Sequence, residues 1–354
     1  MKIIIIGTGF IARTHITAIR ALGHEVAWIV GRNESRTKDF AEEIGINNWT
    51  TDLDTALKSD ASVVHICTPP MNHASLIHKC LDAGKHIICE KPLCIDPKEA
   101  AVLAAKAEEL KRKRGIVTAL CCNVRYYPAN IKAAEIIRGS DHGDPKIFMG
   151  SYLQEYHIPP HEDGWRFDSK ASGGQRAISE IGTHWIDLAY AWTGLRITSV
   201  YAVLNTWYPY RYKKDGMLTL DGNGEKVFID TEDTASVLLR FENGGTGTLL
   251  LSETSPGHPN DLSLEVTDLH TSYKWEESDT DKFWYSSEGS MHCDHLRQIK
   301  RDDTFTELFR SVYSAAEGND NSDYPTFMDG LYISAVCDAI KRSGTTGEWA
   351  SVEF

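Results

Sequence analysis

Short, unbroken apolar runs alternate with amphipathic stretches through the first third of the chain. Lys2 to Ile6 is the first run, and an unbroken run suits a strand buried on both faces. Glu25 to Val30, Ser62 to Cys67, His86 to Cys89 and Ile116 to Leu120 repeat it. Between them, Phe10 to Ala21, Thr37 to Ile44 and Ala74 to Ala83 have helical spacing, and Gly84 is a stop signal. Asp96 is placed to cap a longer helix with Pro97 at its first position and Gly115 after its end. Strands spaced by helices of about 10 to 15 residues predict parallel βαβ units, hence an α/β, doubly wound N-terminal Rossmann domain.

Beyond Val124 the period changes from helical to alternating. One helix is expected over Ala129 to Arg138. β-type segments follow at Ile147 to Tyr156, Ile197 to Trp207, Thr234 to Phe241, Thr246 to Ser252 and Leu262 to Thr267. Helices are expected at Ser179 to Trp192 and Thr326 to Lys341. Asp221-Gly222-Asn223-Gly224 and Asn243-Gly244-Gly245 carry hairpin signals. The pattern predicts an α+β C-terminal domain with a large, mostly antiparallel open sheet. The expected division is 1–124 and 125–354, with the closing helix able to pack back on the first domain. A length of 354 residues suits two domains.

Composition narrows the function. With 42% hydrophobic and 25% charged residues, the chain reads as globular rather than disordered. A net charge of −13 argues against nucleic acid or an anionic membrane surface as partner. No apolar stretch approaches the roughly 20 residues of a membrane span. The N-terminal run is too short for a signal-peptide core, so a cytoplasmic location is expected. The eight cysteines form no C-x-x-C pair, which disfavours a zinc site and a disulfide scaffold. Lys111-Arg112-Lys113-Arg114 falls where a helix should end, and cations there complement the helix dipole.

Gly7-Thr8-Gly9-Phe10-Ile11-Ala12 is a G-x-G-x-x-A pattern after a strand and at the opening of a helix. Gly7 permits the tight turn, Gly9 lets backbone approach a pyrophosphate, and the helix start faces the anion. Phe10 and Ile11 extend this candidate cofactor-binding set. At the end of the second strand stand Gly31-Arg32-Asn33 rather than a carboxylate. Arg32 can pair with a 2′-phosphate or stack on adenine, which favours NADP; Glu34 nearby keeps NAD as the alternative. Thr68, Pro69 and His73 lie just beyond the third long strand, where open α/β sheets bind ligands.

Cys89-Glu90-Lys91-Pro92-Leu93 follows a strand. With the glycine loop, this segment resembles the glucose–fructose oxidoreductase/inositol dehydrogenase/rhizopine catabolism (Gfo/Idh/MocA) family. Asn123-Val124-Arg125-Tyr126, Gly173-Gly174 and the stretch from Glu180 to Leu188 extend the resemblance to nearly the whole chain. It implies an oxidoreductase that exchanges hydride between NADP or NAD and a ring carbon of a sugar, cyclitol or related polyol. It implies that Lys91 is catalytic, with Glu90 and Asn123 near the cofactor and Arg125 near the substrate. An ammonium beside a reacting hydroxyl can carry its proton and stabilise alkoxide charge. His184 is the second catalytic candidate. Glu180 stands four residues before it, where the family typically has aspartate, and shares a helix face with it and with Asp187. Trp165 and Arg166 are expected near the nicotinamide. Tyr152, Gln154, Arg166 and Arg176 are expected to hold substrate hydroxyls, together with Lys91, Glu180 and His184. No metal is required. The resemblance also implies a homo-oligomer, dimer or tetramer, formed on the open sheet.

Two other functions fit the same residues. One is glycoside cleavage through transient oxidation, for which His157, His161 or Tyr156 would serve as an added base. The segment from His157 to Asp163 reads as a loop at the pocket mouth. The other is a cofactor-sensing regulator without catalysis.

Overall fold

The unbroken apolar runs stack side by side in the computed structural model, which describes residues 1–140, 143–162, 164–287, 289–319 and 323–354. Strands β1 (Lys2–Ile6), β2 (Glu25–Val30), β3 (Trp49–Thr50), β4 (Val63–Ile66), β5 (His86–Cys89) and β6 (Thr118–Leu120) form a parallel sheet in the order β3-β2-β1-β4-β5-β6. Ile3, Ile4, Val63, Val64, Ile87 and Ile88 are fully buried, as strands covered on both faces require. The two-residue edge strand β3 is too short to announce itself by periodicity. Strand order reverses between β1 and β4, and ligands bind beyond the carboxyl ends at such a reversal.

Helices α1 (Phe10–Ala21), α2 (Glu34–Glu43), α3 (Leu53–Leu57), α4 (His73–Asp82) and α5 (Pro97–Arg114) connect these strands. The Asp96 side chain accepts the Lys98 N–H at 3.0 Å, and Gly115 closes α5 in a left-handed conformation. Lys111 to Arg114 do occupy the last turn of α5.

Gly7 has φ +124°, and a Cβ there would run into the Cys67 carbonyl oxygen. Gly7→Ala is therefore expected to lower stability by about 1–3 kcal/mol, read as a lower melting temperature.

The second half alternates strand faces. After α6 (Pro128–Arg138) come β7 (Ile147–Leu153), β8 (His161–Glu162), α7 (Thr183–Thr193) and β9 (Ile197–Asn205). Then follow β10 (Tyr210–Lys214), β11 (Met217–Thr219), β12 (Glu225–Phe228), β13 (Thr234–Phe241) and β14 (Thr246–Ser252). The last strands before the closing helices are β15 (Asp261–Thr267), β16 (Ser272–Glu276), β17 (Lys282–Ser287) and β18 (Ser290–His295). The chain ends with α8 (Arg301–Ala316), α9 (Phe327–Thr346) and β19 (Ala350–Ser351).

Among the described residues, nine strands form one sheet, ordered β18-β17-β16-β15-β7-β14-β13-β9-β19. It is antiparallel except where β7 runs parallel to β14. Along β13 the alternation is plain: Ala235, Val237 and Leu239 are buried while Leu238 is 47% exposed. Helix α7 lies on the buried face. Its Trp185 indole donates to the Ser263 carbonyl at 3.0 Å and sits where a side chain on Gly150 would be.

A smaller sheet, ordered β12-β10-β11-β8, corrects the reading of Asp221 to Gly224 as a hairpin turn. That segment joins β11 to β12, which pairs with β10 instead. The tight turn is Asp215-Gly216, both at positive φ, between paired Lys214 and Met217. Asp-Gly is the residue pair that such a turn demands.

Backbone packing divides the chain into two units: Met1–Tyr126 with Lys300–Tyr332, and Tyr127–Ile299 with Ile333–Phe354. The expected 125–354 domain thus gives up residues 300–332 to the first unit. Helix α8, which the sequence reading did not anticipate, buries the stripe Phe305, Leu308, Phe309, Val312 and Tyr313 in that unit's core. No helix among the described residues is long and apolar enough to cross a membrane.

Candidate active site

The first unit supplies the nucleotide end. Gly9 caps α1 with no side-chain hydrogen bond, and the first turn has no acidic residue. Nothing lies within 4 Å of where a Gly9 Cβ would be. Among the described residues no side chain caps these helix N–H groups, and the open space beside them fits a pyrophosphate. Phe10 is 80% exposed at this turn, and Ile11 is half-buried. Gly31 packs onto the Thr37 hydroxyl, and Arg32 is exposed just past β2. The Asn33 side chain caps α2 by accepting the Arg36 N–H at 3.0 Å.

Thr68 and Pro69 follow β4. The buried His73 ring lies 2.8 Å from the Thr68 carbonyl and 2.8 Å from the Pro92 carbonyl, so it ties two loops at the sheet's carboxyl edge. Lys91, half-buried, follows β5, and its bond to Pro92 is cis. Glu90 is buried and bonded to His15 at 3.0 Å. Asn123 is 1% exposed, and its amide donates to the Thr304 hydroxyl of α8 at 2.7 Å. That bond ties Asn123, a candidate for cofactor contact, to α8. Arg125 is half-buried two residues on.

The second unit supplies the substrate candidates. The segment expected as one helix from Ser179 begins instead as a π-turn, Ile178–Gly182, before α7. A π-turn widens the helical repeat by one residue, and His184 and Asp187 lie beyond it, inside α7. Glu180 accepts a hydrogen bond from Arg166 Nε at 2.9 Å, and its charge raises the Arg166 guanidinium above its ordinary value. Arg166 also lies 4.8 Å over the Trp165 ring.

His184 is 6% exposed in the first turn of α7, with the Tyr152 ring tilted against it at 6.1 Å. The Tyr152 hydroxyl and the Gln154 amide both donate to Asn260 Oδ1, at 2.8 and 2.5 Å. Thus Tyr152, Gln154 and His184 gather at one place, and Arg166 joins Glu180. Asn260, which holds two of them, was missed because an isolated Asn in a loop carries no sequence signal.

Arg176 departs from expectation. It is fully buried, bonded to Asp233 and 3.6 Å from Glu253. Its guanidinium stacks 4.6 Å from the Phe167 ring, and Arg211 lies at 4.6 Å from the same ring. Burial, helped by Arg176, pushes Arg211 down to about 10. Arg176 is therefore built into an ion network rather than exposed to substrate.

The candidate added bases sit in the same region. His157 is 1% exposed and donates to Glu253 at 2.8 Å. Burial lowers His161 to about 4. Tyr156 is 59% exposed. Asp163, the end of the expected mouth loop, lies outside the described residues.

Glu232 accepts the backbone N–H groups of Arg176 at 2.8 Å and Ile178 at 2.9 Å. Burial nonetheless raises its carboxyl from 4.5 to about 7. A raised folded-state value means that the stabilisation is complete below pH 4.5 and is lost as pH rises through about 7. The loss amounts to roughly 3 kcal/mol. Glu232→Gln is expected to shrink the drop in melting temperature between about pH 5 and pH 8, read by thermal denaturation at both.

Comparison with known proteins agrees over the full chain. A model of an oxidoreductase family with an NAD-binding Rossmann fold matches residues 1–117, and a GFO/IDH/MocA C-terminal domain model matches residues 131–268. Levoglucosan dehydrogenase of Pseudarthrobacter phenanthrenivorans is 27% identical, over 98% of this chain and 97% of its own. Glucose-fructose oxidoreductase domain-containing protein 2 of Xenopus tropicalis is also 27% identical, over 99% of this chain and 93% of its own. Levoglucosan dehydrogenase solved with NADH and levoglucosan superposes with a TM-score of 0.89 at 25% identity, covering 100% of both chains. An oxidoreductase domain protein from Kribbella flavida reaches 0.90 at 25% identity, covering 99% of both. With the 3-2-1-4-5-6 sheet, the open glycine turn and the Glu90-Lys91-Pro92 element, this chain belongs to the Gfo/Idh/MocA family of oxidoreductases.

Proposed function

We propose that the protein interconverts a ring hydroxyl and a ring ketone of a sugar, cyclitol or related polyol, using a nicotinamide dinucleotide. The observation that carries this reading is one sheet edge with two features: an uncapped α1 start beside an open Gly9, and Lys91 at the end of β5. The full-length likeness to a levoglucosan dehydrogenase solved with NADH and levoglucosan supports both cofactor and substrate class.

Gly7, Gly9 and the first turn of α1 would hold the pyrophosphate, with Thr68, Pro69 and His73 beside it. The nicotinamide, when bound, accepts or returns the hydride. Lys91 takes the hydroxyl proton in oxidation and returns it in reduction. His184, braced by Tyr152, holds the reacting hydroxyl and steadies negative charge on its oxygen. Arg166 and Gln154 fix neighbouring hydroxyls. Glu180, neutralised by Arg166, orients that arginine rather than moving a proton.

Arg32, with no carboxylate at the β2 tip, favours the 2′-phosphate of NADP. The levoglucosan dehydrogenase relatives were solved with NADH, so the choice is tested directly. Purified protein would be mixed with NADP or NAD and a panel of sugars, cyclitols, sugar acids and glycosides, following nicotinamide absorbance. Stoichiometric reduced cofactor with a free sugar or cyclitol supports the proposal, and the nucleotide with the higher kcat/KM shows what Arg32 selects. Glycoside cleavage with no net reduction would replace it with transient oxidation.

The outer face of the large sheet exposes Ile147, Met149, Val203, Leu238 and Leu250 on the adjacent strands β7, β14, β13 and β9. Contiguous apolar exposure of this kind marks a contact surface. A homo-oligomer formed on this face is expected. Light scattering should give at least twice the 39.6 kDa chain mass, and Leu238→Lys should reduce it to one chain.

A further inference from the structure

Behind Lys91 runs a chain of buried polar side chains that hydride transfer does not call for. Tyr313 on α8 lies with its hydroxyl 2.7 Å from His65 Nε2 on β4. His65 Nδ1 lies 2.9 Å from His15 Nδ1 on α1. His15 Nε2 lies 3.0 Å from Glu90 Oε1, and Glu90 Oε2 accepts the Lys91 backbone N–H at 3.3 Å. Both imidazoles are fully buried, Tyr313 is 2% exposed and Glu90 9%. Four polar side chains from separate segments, aligned in one core, are costly unless every member is satisfied.

The protons of this chain have a consistent order. Burial, reinforced by His15, holds His65 well below the ordinary histidine range. Burial keeps the Tyr313 hydroxyl protonated. Burial alone would push the Glu90 carboxyl up, but the His15 hydrogen bond, with nearby Lys91, holds it below its usual value. With Tyr313 O–H donating to His65 and His15 Nε2–H donating to the Glu90 carboxylate, one ordering satisfies every member: His65 Nδ1–H donates to His15 Nδ1 between them. Each donor points toward Glu90.

Glu90 also faces Cys121 after β6, Cys67 after β4, Cys89 on its own strand and His73 on α4. Burial raises all three thiols, and it lowers His73. The rings of Phe305 and Phe309 on α8 close over His15 at 5.7 and 4.8 Å, and His24 meets the Tyr313 ring edge-on at 4.8 Å. His15, Glu90 and Cys121 offer ligand atoms within 4.8 Å of one another. The imidazole between them is already engaged on both ring nitrogens, by His65 and by Glu90.

We infer that Tyr313, His65 and His15 are positioning residues: they fix Glu90 as an oriented carboxylate, and Glu90 in turn fixes the Lys91 backbone for catalysis. The inference rests on the reading that Lys91 carries the substrate proton. Hydrophobic residues filling the same volume would satisfy the core, but they would leave the carboxylate without its donor.

The test compares wild type with His15→Leu, His15→Gln and Tyr313→Phe, each checked for folding and nucleotide binding. The Glu90 carboxyl is titrated by carbon-13 NMR in glutamate-labelled protein, with Glu90→Gln to assign its signal. In His15→Leu the Glu90 midpoint should rise by about one unit or more. Tyr313→Phe should move it less in the same direction, and His15→Gln, which keeps an N–H for Glu90, should restore it. With the sugar that turns over in the absorbance panel, the acid limb of kcat/KM should shift upward together with the Glu90 midpoint. If His15→Leu does not fold, Tyr313→Phe carries the test. An unmoved Glu90 midpoint in the folded variants overturns the inference. So does a moved midpoint with an unmoved acid limb. Failure of the underlying reading looks different: Lys91→Met would keep wild-type turnover, whatever the Glu90 titration does.

Discussion

Replacing Lys91 by methionine is expected to lower kcat by about 10²–10⁴-fold with little change in nucleotide affinity. Methionine keeps the length and the apolar stem of the side chain and removes only the ammonium. The backbone of this segment is held from elsewhere, by Glu90 at the Lys91 N–H and by His73 at the Pro92 carbonyl. Loss of turnover would therefore report the proton carrier rather than a collapsed loop. Fluorescence quenching of reduced nucleotide binding separates the two, because a collapsed loop would weaken binding and turnover together. A variant that binds nucleotide and still turns over at the wild-type rate would remove Lys91 from the mechanism.

Arg176→Met should have the largest effect on stability. The guanidinium is fully buried between Asp233 and Glu253, and its removal leaves two carboxylates without their nearest cation. Breaking a buried ion pair from one side costs about 3–5 kcal/mol. Arg211, at 3.8 Å from Asp233, makes a poorer substitute. The exposed pair Arg13–Glu43 is the control: its 2.7 Å contact is in solvent, so Arg13→Met should barely change the melting temperature. Denaturant unfolding of both variants reads the contrast. Equal effects would mean that the buried network is solvated.

Most of the first unit was legible because its signals are local. Unbroken isoleucine and valine runs, the Asp96-Pro97 cap and Gly115 each say where an element begins or ends without reference to distant residues. The second unit was legible only in kind. Alternation reveals a strand but not its neighbour, so the Asp221 to Gly224 cluster was read as a hairpin turn, and the Asp215-Gly216 turn went unnoticed beside it. Glu180 illustrates a harder limit. Its spacing from His184 reads as one helical turn, but its partner Arg166 comes from a separate turn that spacing does not reveal. Arg176 looked like a substrate ligand because a sequence does not show which arginine will be covered. Helix α8 could have been found, since Phe305, Leu308, Phe309, Val312 and Tyr313 follow helical spacing. Its packing beside α1 could not.

That last arrangement has a consequence for how the protein comes into being. The nucleotide-binding unit is discontinuous: residues 1–126 wait for residues 300–332. On a ribosome, the second unit's 173-residue segment from Tyr127 to Ile299 emerges before the helix that covers α1 and completes the buried histidine chain. The N-terminal segment must therefore persist with an open apolar flank while the rest is made, and its last contacts span roughly 300 residues of sequence. A fragment ending at Tyr126 would carry the glycine turn and Lys91 yet lack that cover. Nascent chains are thus a form in which the apolar flank of α1 lies open to aggregation.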